Sequence, residues 1–314
     1  MSQMHRGLLA LIVTALSWGG LFPVGKAALV ALDPYFLTVI RYGIAAALLL
    51  LILMAREGRG VLAELGGDSR RGWLVLYGVT GFAGFSLFMF EGLRSTSPAQ
   101  AAVIAAMQPL IMALILWLVR GVRPASVTLA CIVVAFLGCA IVVSRGDLAS
   151  LRGGGQVGGG LLVFVAALCW IIYTLGAARF ADWSPLRFTA LSCVFGTLGI
   201  FFIAAVATWL GRAHVPSPTQ VLSVAWELVF LIVMTSIVAV LLWNVGVRCL
   251  GPLNATLFLN FIPVLVFAIA ALQGQPAVPA EYLGGAMVLA ALLANNLYAR
   301  WLLGRHERLR AARL

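Results

Sequence analysis

Three ionisable residues lie inside long apolar stretches of the 314-residue chain: Lys26, its only lysine, Arg41 and Glu91. A charge at membrane depth costs about 3 kcal/mol or more unless it is paired, hydrated or snorkelling, so a part in moving a solute or ion is the default reading. A structural ion pair or a snorkelling Lys26 is the alternative. A carboxylate at Glu91 could carry a proton, and the two cations could hold an anionic group. Aromatic residues accompany them. Phe22 follows Trp18 at i+4 and Tyr173 follows Trp170 at i+3, each pair on one helix face. Such pairs could line an aromatic cavity, or serve helix packing. Trp243, Asn244, Asn260 and Asn295 also fall in apolar runs, where amide groups need partners from protein, water or substrate.

Other chemistries lack their residues. His5, His214 and His306 are expected at the termini or in a loop, and the five cysteines are scattered without a CxxC pair. No metal or cofactor site follows from them. The glycine-rich stretch Gly153 to Gly160 lacks the Gly-Lys-Ser/Thr ending of a phosphate loop and reads as a flexible linker.

The elements that position these residues are membrane spans. Hydrophobic residues make up 63% of the chain and charged residues 10%, against about 45–50% and about 25% in a soluble domain. Ten apolar runs are long enough to cross a bilayer: 8–32, 34–54, 73–93, 98–118, 125–143, 158–179, 187–210, 225–249, 252–271 and 282–303. The first is too long and continuous for a cleaved signal peptide. The net charge of +11 does not imply nucleic acid, because the arginines sit in short loops and at the C-terminal end. With the N-terminus in the cytoplasm, fifteen arginines fall in inner loops and four in outer ones. That bias predicts both termini on the cytoplasmic side.

The runs repeat. Gly92, Arg94, Pro98, Ala101 and Pro109 recur 154 positions later as Gly246, Arg248, Pro252, Ala255 and Pro263, and Trp18 recurs 152 positions later as Trp170. The chain therefore divides into 1–152 and 153–314, five spans each. An odd number of spans inverts the second copy, which predicts an all-α integral membrane protein of ten transmembrane helices in two inverted five-helix repeats. Secondary transporters with such repeats bind substrate near the midplane, where the halves meet.

This frame places Lys26, Arg41 and Glu91 in the outer third of the membrane, where they are expected to meet. Their counterparts Ala178, Ser192 and Val245 carry no charge. Trp18 and Trp170, each about ten residues into its run, should approach one another across the centre. Pro109 lies 11 residues beyond Pro98, about 16 Å into its span, and Pro263 sits equivalently. Each is a static kink or one of a pair of hinges. Ala286, Ala290 and Ala294 form a small-residue stripe suited to close packing of the last helix.

Ten spans, a five-plus-five duplication and Gly-Leu-Arg-x-x-x-Pro-x-Gln-Ala followed by a mid-helix proline together resemble the drug/metabolite transporter superfamily, and within it the EamA-type exporters. Trp18-Gly19 with Lys26, the Pro34 to Arg41 spacing and Trp243-Asn244-x-Gly246-x-Arg248 fit the same resemblance, which covers nearly the whole chain. It implies a secondary transporter that exports small metabolites, amino acids or related amphipathic compounds, across the cell (inner) membrane by alternating access. The expected partners are a small-molecule substrate and the lipid bilayer, with protons as the candidate coupling ion and no nucleic acid. A membrane enzyme acting on lipid-linked substrates is the alternative. It would need clustered acids, metal ligands or a nucleophile–base pair at one depth, and the chain has no Asp-rich motif and no histidine in a span.

Overall fold

The computed structural model describes residues 2–58, 60, 68–121, 123–146, 155–274 and 278–311, and among them it is helical with no strand. Nine helices there are long and apolar enough to cross a membrane: α1 (Gln3–Ala28), α2 (Pro34–Glu57), α3 (Arg70–Ser95), α4 (Pro98–Val119), α5 (Ser126–Ser144), α6 (Val157–Phe180), α7 (Pro185–Trp209), α8 (Ala225–Leu250) and α9 (Pro252–Leu272). The helix α10 (Pro279–Ala311) follows them. Several starts are written locally. The side chains of Asp33, Ser97 and Ser184 accept from the backbone N–H three residues on, and proline follows each at the first helical position. Proline there loses no hydrogen bond and presets the helical φ.

Packing pairs between the halves include α1 with α8, α3 with α6, α2 with α7, α5 with α10 and α4 with α9. Exchanging the halves turns α1–α8 into α6–α3 and maps the other three pairs onto themselves, as an inverted repeat requires. Irregularities are shared as well. A π-helical stretch runs from Val79 to Gly84 in α3 and another from Leu231 to Val238 in α8, starting 152 positions apart. In the first half, α4 turns at Met107 before resuming at Gln108. In the second, α9 tightens to a 3-10 turn over Leu257–Asn260 before resuming at Phe261. Both breaks fall just ahead of the mid-helix prolines, whose rings and missing N–H disturb the preceding turn.

Two expectations are corrected. Gly153 and Gly154 lie outside the described residues, but Gly155 onward is helical rather than a linker. A Cβ on Gly159 would stand 2.8 Å from the Gly92 carbonyl oxygen, and one on Gly92 would stand 2.6 Å from that of Gly159. These glycines let α6 and α3 touch backbone to backbone. The Ala286, Ala290 and Ala294 stripe is exposed, and α10 turns Gly284, Val288 and Ala291 inward instead. There a Cβ on Gly284 would meet the Gly138 carbonyl oxygen at 2.3 Å. Close packing in lipid goes to the smallest residues, so glycine takes the contact.

Candidate substrate pathway

Three tryptophans from both halves meet at the centre of the bundle. The Trp18 ring lies 5.1 Å from Trp170, edge to face, and 5.3 Å from Trp243, while Trp170 and Trp243 are 6.1 Å apart. Phe85 and Tyr173 extend the cluster from Trp170 at 5.2 and 5.0 Å. Such ring pairs are worth about 0.5–1.5 kcal/mol each beyond the area they bury. Trp18 donates its indole N–H to the Thr235 carbonyl at 3.1 Å, and Trp243 donates to Thr174 Oγ1 at 3.2 Å. The buried N–H of Trp170 has no partner. Phe22 is buried in the same core.

Arg41, 1% exposed, reaches from α2 into the π-helical stretch of α8. Its Nε donates to Ser236 Oγ at 2.5 Å and to the Leu231 carbonyl at 3.3 Å, and one terminal nitrogen donates to Thr235 Oγ1 at 2.9 Å. Both hydroxyls in turn donate to the Leu231 carbonyl, at 2.7 and 2.9 Å. The Tyr42 and Phe90 rings lie 4.7 and 5.5 Å from the guanidinium. Its Nη1 is buried without a partner. Thr235 thus joins the cation, through its hydroxyl, to Trp18, through its carbonyl.

The expected meeting of Lys26, Arg41 and Glu91 does not occur. Lys26 Nζ donates to the carbonyls of Leu93, Arg94 and Thr96 at 2.6, 2.9 and 3.1 Å. It satisfies carbonyls left open at the end of α3, where the helix dipole also favours a cation. Glu91 faces Arg94 one turn on, at 3.2 Å, and is 38% exposed. Among the described residues the buried acid is one that the sequence did not single out. Glu281, 4% exposed at the start of α10, accepts from Ser97 Oγ at 3.1 Å and from the Val278 N–H at 3.2 Å, with Arg145 Nε at 3.6 Å. No signal in one sequence separates it from an ordinary acid in a helix's first turn.

The amides divide. Asn244 donates to Tyr173 Oη at 2.7 Å and Thr189 Oγ1 at 2.8 Å, leaving Oδ1 buried without a partner. Asn260 Oδ1 is likewise unpartnered, beside the α9 break, as is Gln108 Oε1 at the α4 break. Asn295 accepts from Thr128 at 2.7 Å, an ordinary bond between helices.

Two cavities flank the aromatic cluster. One of about 230 Å³ lies where α6 ends and α7 begins, lined by Ala178, Phe180, Trp183, Phe188, Asn244 and Arg248 among others. The Arg70 guanidinium hydrogen-bonds Asp182 in the same turn and holds its carboxyl below the usual carboxylate range. The other, of about 240 Å³, lies where α3 gives way to α4, with Pro23, Ser97, Arg145, Gln273 and Glu281 in its wall. The chain crosses the bundle three times between the α3–α4 turn and the α6–α7 turn, so the cavities open on opposite faces.

A family model described as the EamA-like transporter family matches residues 5–144 and 157–297. The uncharacterized transporter YrdR of Bacillus subtilis (strain 168) is 32% identical over 302 residues, covering 95% of this chain and 93% of its own. The aromatic amino acid exporter YddG of Ancylobacter novellus is 28% identical over 285 residues, covering 85% and 90%. A solved crystal structure superposes with a TM-score of 0.64 at 22% identity, over 95% of this chain and 98% of that one, a likeness of fold.

Proposed function

The chain belongs to the EamA-like transporter family, and from that premise of a multi-pass membrane transporter we propose that it exports amino acids or related amphipathic metabolites across the cell (inner) membrane by alternating access. The observation that carries this reading is the pair of cavities on opposite faces, separated by the Trp18, Trp170 and Trp243 cluster where the repeats meet. Three buried polar atoms around that barrier lack partners: Arg41 Nη1, Trp170 Nε1 and Asn244 Oδ1. Buried polar groups are nearly always satisfied, so a set converging on one route suits a polar solute that supplies the missing bonds in passage.

In this reading the indoles pack the apolar part of the solute, Arg41 pairs with its carboxylate, and the breaks at Pro109 and Pro263 are the hinges. The arginine bias supports a cytoplasmic α6–α7 cavity, an outer α3–α4 cavity and both termini inside. Glu281, buried in the outer cavity, takes over from Glu91 as the candidate proton carrier. The aromatic substrate in the name of the Ancylobacter relative fits the ring-lined route.

Counterflow in proteoliposomes, with labelled aromatic, branched and small amino acids, tests the reading. Trp18→Ala and Trp170→Ala should raise KM for aromatic and bulky substrates more than for small ones, with Phe22→Ala and Tyr173→Ala following at smaller effect. Equal transport of every substrate by both tryptophan variants would remove the indoles from the route. No flux with any amino acid would reject the substrate class.

A further inference from the structure

The α6–α7 cavity occupies a position that the first repeat fills with a lysine. An offset of 152 places Ala178 at the position of Lys26, and an offset of 154 places Val247 and Arg248 at those of Leu93 and Arg94. In the first half the Lys26 ammonium is bound by the last turn of α3, 2.6 and 2.9 Å from the Leu93 and Arg94 carbonyls. In the second half Ala178, Val247 and Arg248 line an open cavity of about 230 Å³ instead. It stands at the place of the missing ammonium, with room for several waters.

Asn244 forms part of the wall between this cavity and the aromatic cluster, with its amide oriented by its neighbours. Thr189 Oγ1 donates its only proton to the Pro185 carbonyl at 2.7 Å, so it must accept from Asn244, which fixes the amide nitrogen on that side. Asn244 Oδ1 is then the atom left without a partner, and the residue is 4% exposed in the cavity wall. Arg248 follows Asn244 by four residues on the same face of α8, about 6 Å along it. One of its N–H groups holds the Trp183 carbonyl at 2.6 Å, which anchors the guanidinium at the cavity.

We propose that this cavity is a binding site for the zwitterionic head of an α-amino acid on the cytoplasmic side, a first stop before the central aromatic cluster. The ammonium group takes the place of Lys26's at the negative end of the α8 dipole, against the Arg248 carbonyl, the counterpart of the Arg94 carbonyl that Lys26 holds, which Pro252 has no N–H to satisfy. The carboxylate meets Arg248. The side chain lies along Phe180, Trp183 and Phe188. Other charges nearby act at the rim: Glu57 accepts from Ser184 Oγ at 2.6 Å, and Arg187 stacks on the Trp183 ring at 4.8 Å.

This inference rests on the transport reading for its biological sense, but binding tests it separately. The probes are L-phenylalanine, 2-phenylethylammonium and 3-phenylpropionate, titrated calorimetrically into the purified full-length protein. L-Phenylalanine should bind at least tenfold more tightly than either singly charged analogue. Ala178→Lys, which restores the lysine of the first repeat at an exposed position, should lower its affinity at least tenfold. An analogue that binds as tightly as the amino acid overturns the proposal, as does unchanged affinity in Ala178→Lys or no binding at all. Should that variant fail to fold, the probe series on the wild type still decides. Binding as expected without counterflow in proteoliposomes would reject transport of that amino acid and leave the site standing.

Discussion

Replacing Arg41 by methionine separates a carboxylate anchor from a structural cation. The guanidinium makes two close hydrogen bonds, at 2.5 and 2.9 Å, and a longer one at 3.3 Å. Two charge-assisted bonds contribute about 3–6 kcal/mol together. Removing the charge from the membrane interior returns about 2.5–3.5 kcal/mol. Thr235 and Ser236 keep their bonds to the Leu231 carbonyl, so no donor is orphaned. The net loss of stability is about 0–3 kcal/mol, and Arg41→Met should reach the membrane folded. Transport should suffer more selectively. A carboxylate on Nη1 contributes about 1.5–3 kcal/mol, which at 1.4 kcal/mol per factor of ten is roughly a ten- to hundredfold rise in KM. Arg41→Lys should recover only part of this, since one ammonium cannot serve both hydroxyls and the substrate with the geometry of a guanidinium fork. The assay is concentration-dependent counterflow of an amino acid beside a carboxylate-free amine that is also carried. An unchanged KM for the amino acid, or an equal rise for the amine, would refute the anchor.

Glu91, paired with Arg94 at the surface, should tolerate glutamine with its transport rate within twofold of wild type, whereas Glu281→Gln, which removes the buried charge facing Arg145 in the outer cavity, should slow transport at least tenfold. Proteoliposome uptake rates read both. Lys26→Met removes a cation that binds three carbonyls at the end of α3 and should destabilise the protein by about 2–4 kcal/mol, seen as a lower Tm with KM unchanged. Gly284→Ala drives a methyl group against the Gly138 carbonyl oxygen, 2.3 Å from the ideal Cβ, and should reduce folded protein measured by size-exclusion fluorescence.

Much of the fold was legible because lipid leaves few choices. Backbone groups in hydrocarbon must be satisfied within a helix, so apolar length alone marks spans, and the Gly92 to Pro109 repeat fixes their inversion. The pairing of Trp18 with Trp170 follows from equal depth in opposite halves. The partners of the charges did not follow. Membrane depth does not say which way a side chain turns, and Lys26 turned to the end of α3 while Arg41 turned to α8. The π-helical stretches were hidden for a related reason. Val79–Gly84 and Leu231–Val238 carry no proline, and their sequences read as ordinary helix. Their effect appears only in three dimensions, where the Leu231 carbonyl collects Arg41, Thr235 and Ser236. Composition cannot distinguish a linker from a close helix contact, and Gly159, in a stretch that reads as the first, makes the second.

The most direct test of the central claim, that substrate crosses between the two cavities through the aromatic cluster, is reciprocal accessibility. Single cysteines replace Ala178 in one cavity and Ala270 in the other, on a cysteine-free background that still transports. Each is labelled in proteoliposomes by an impermeant thiol reagent from either side. The account predicts that Ala178→Cys reacts only from the cytoplasmic side and Ala270→Cys only from outside, and that a transported substrate changes the two rates in opposite directions. Rates that rise or fall together, or that ignore substrate, would contradict it.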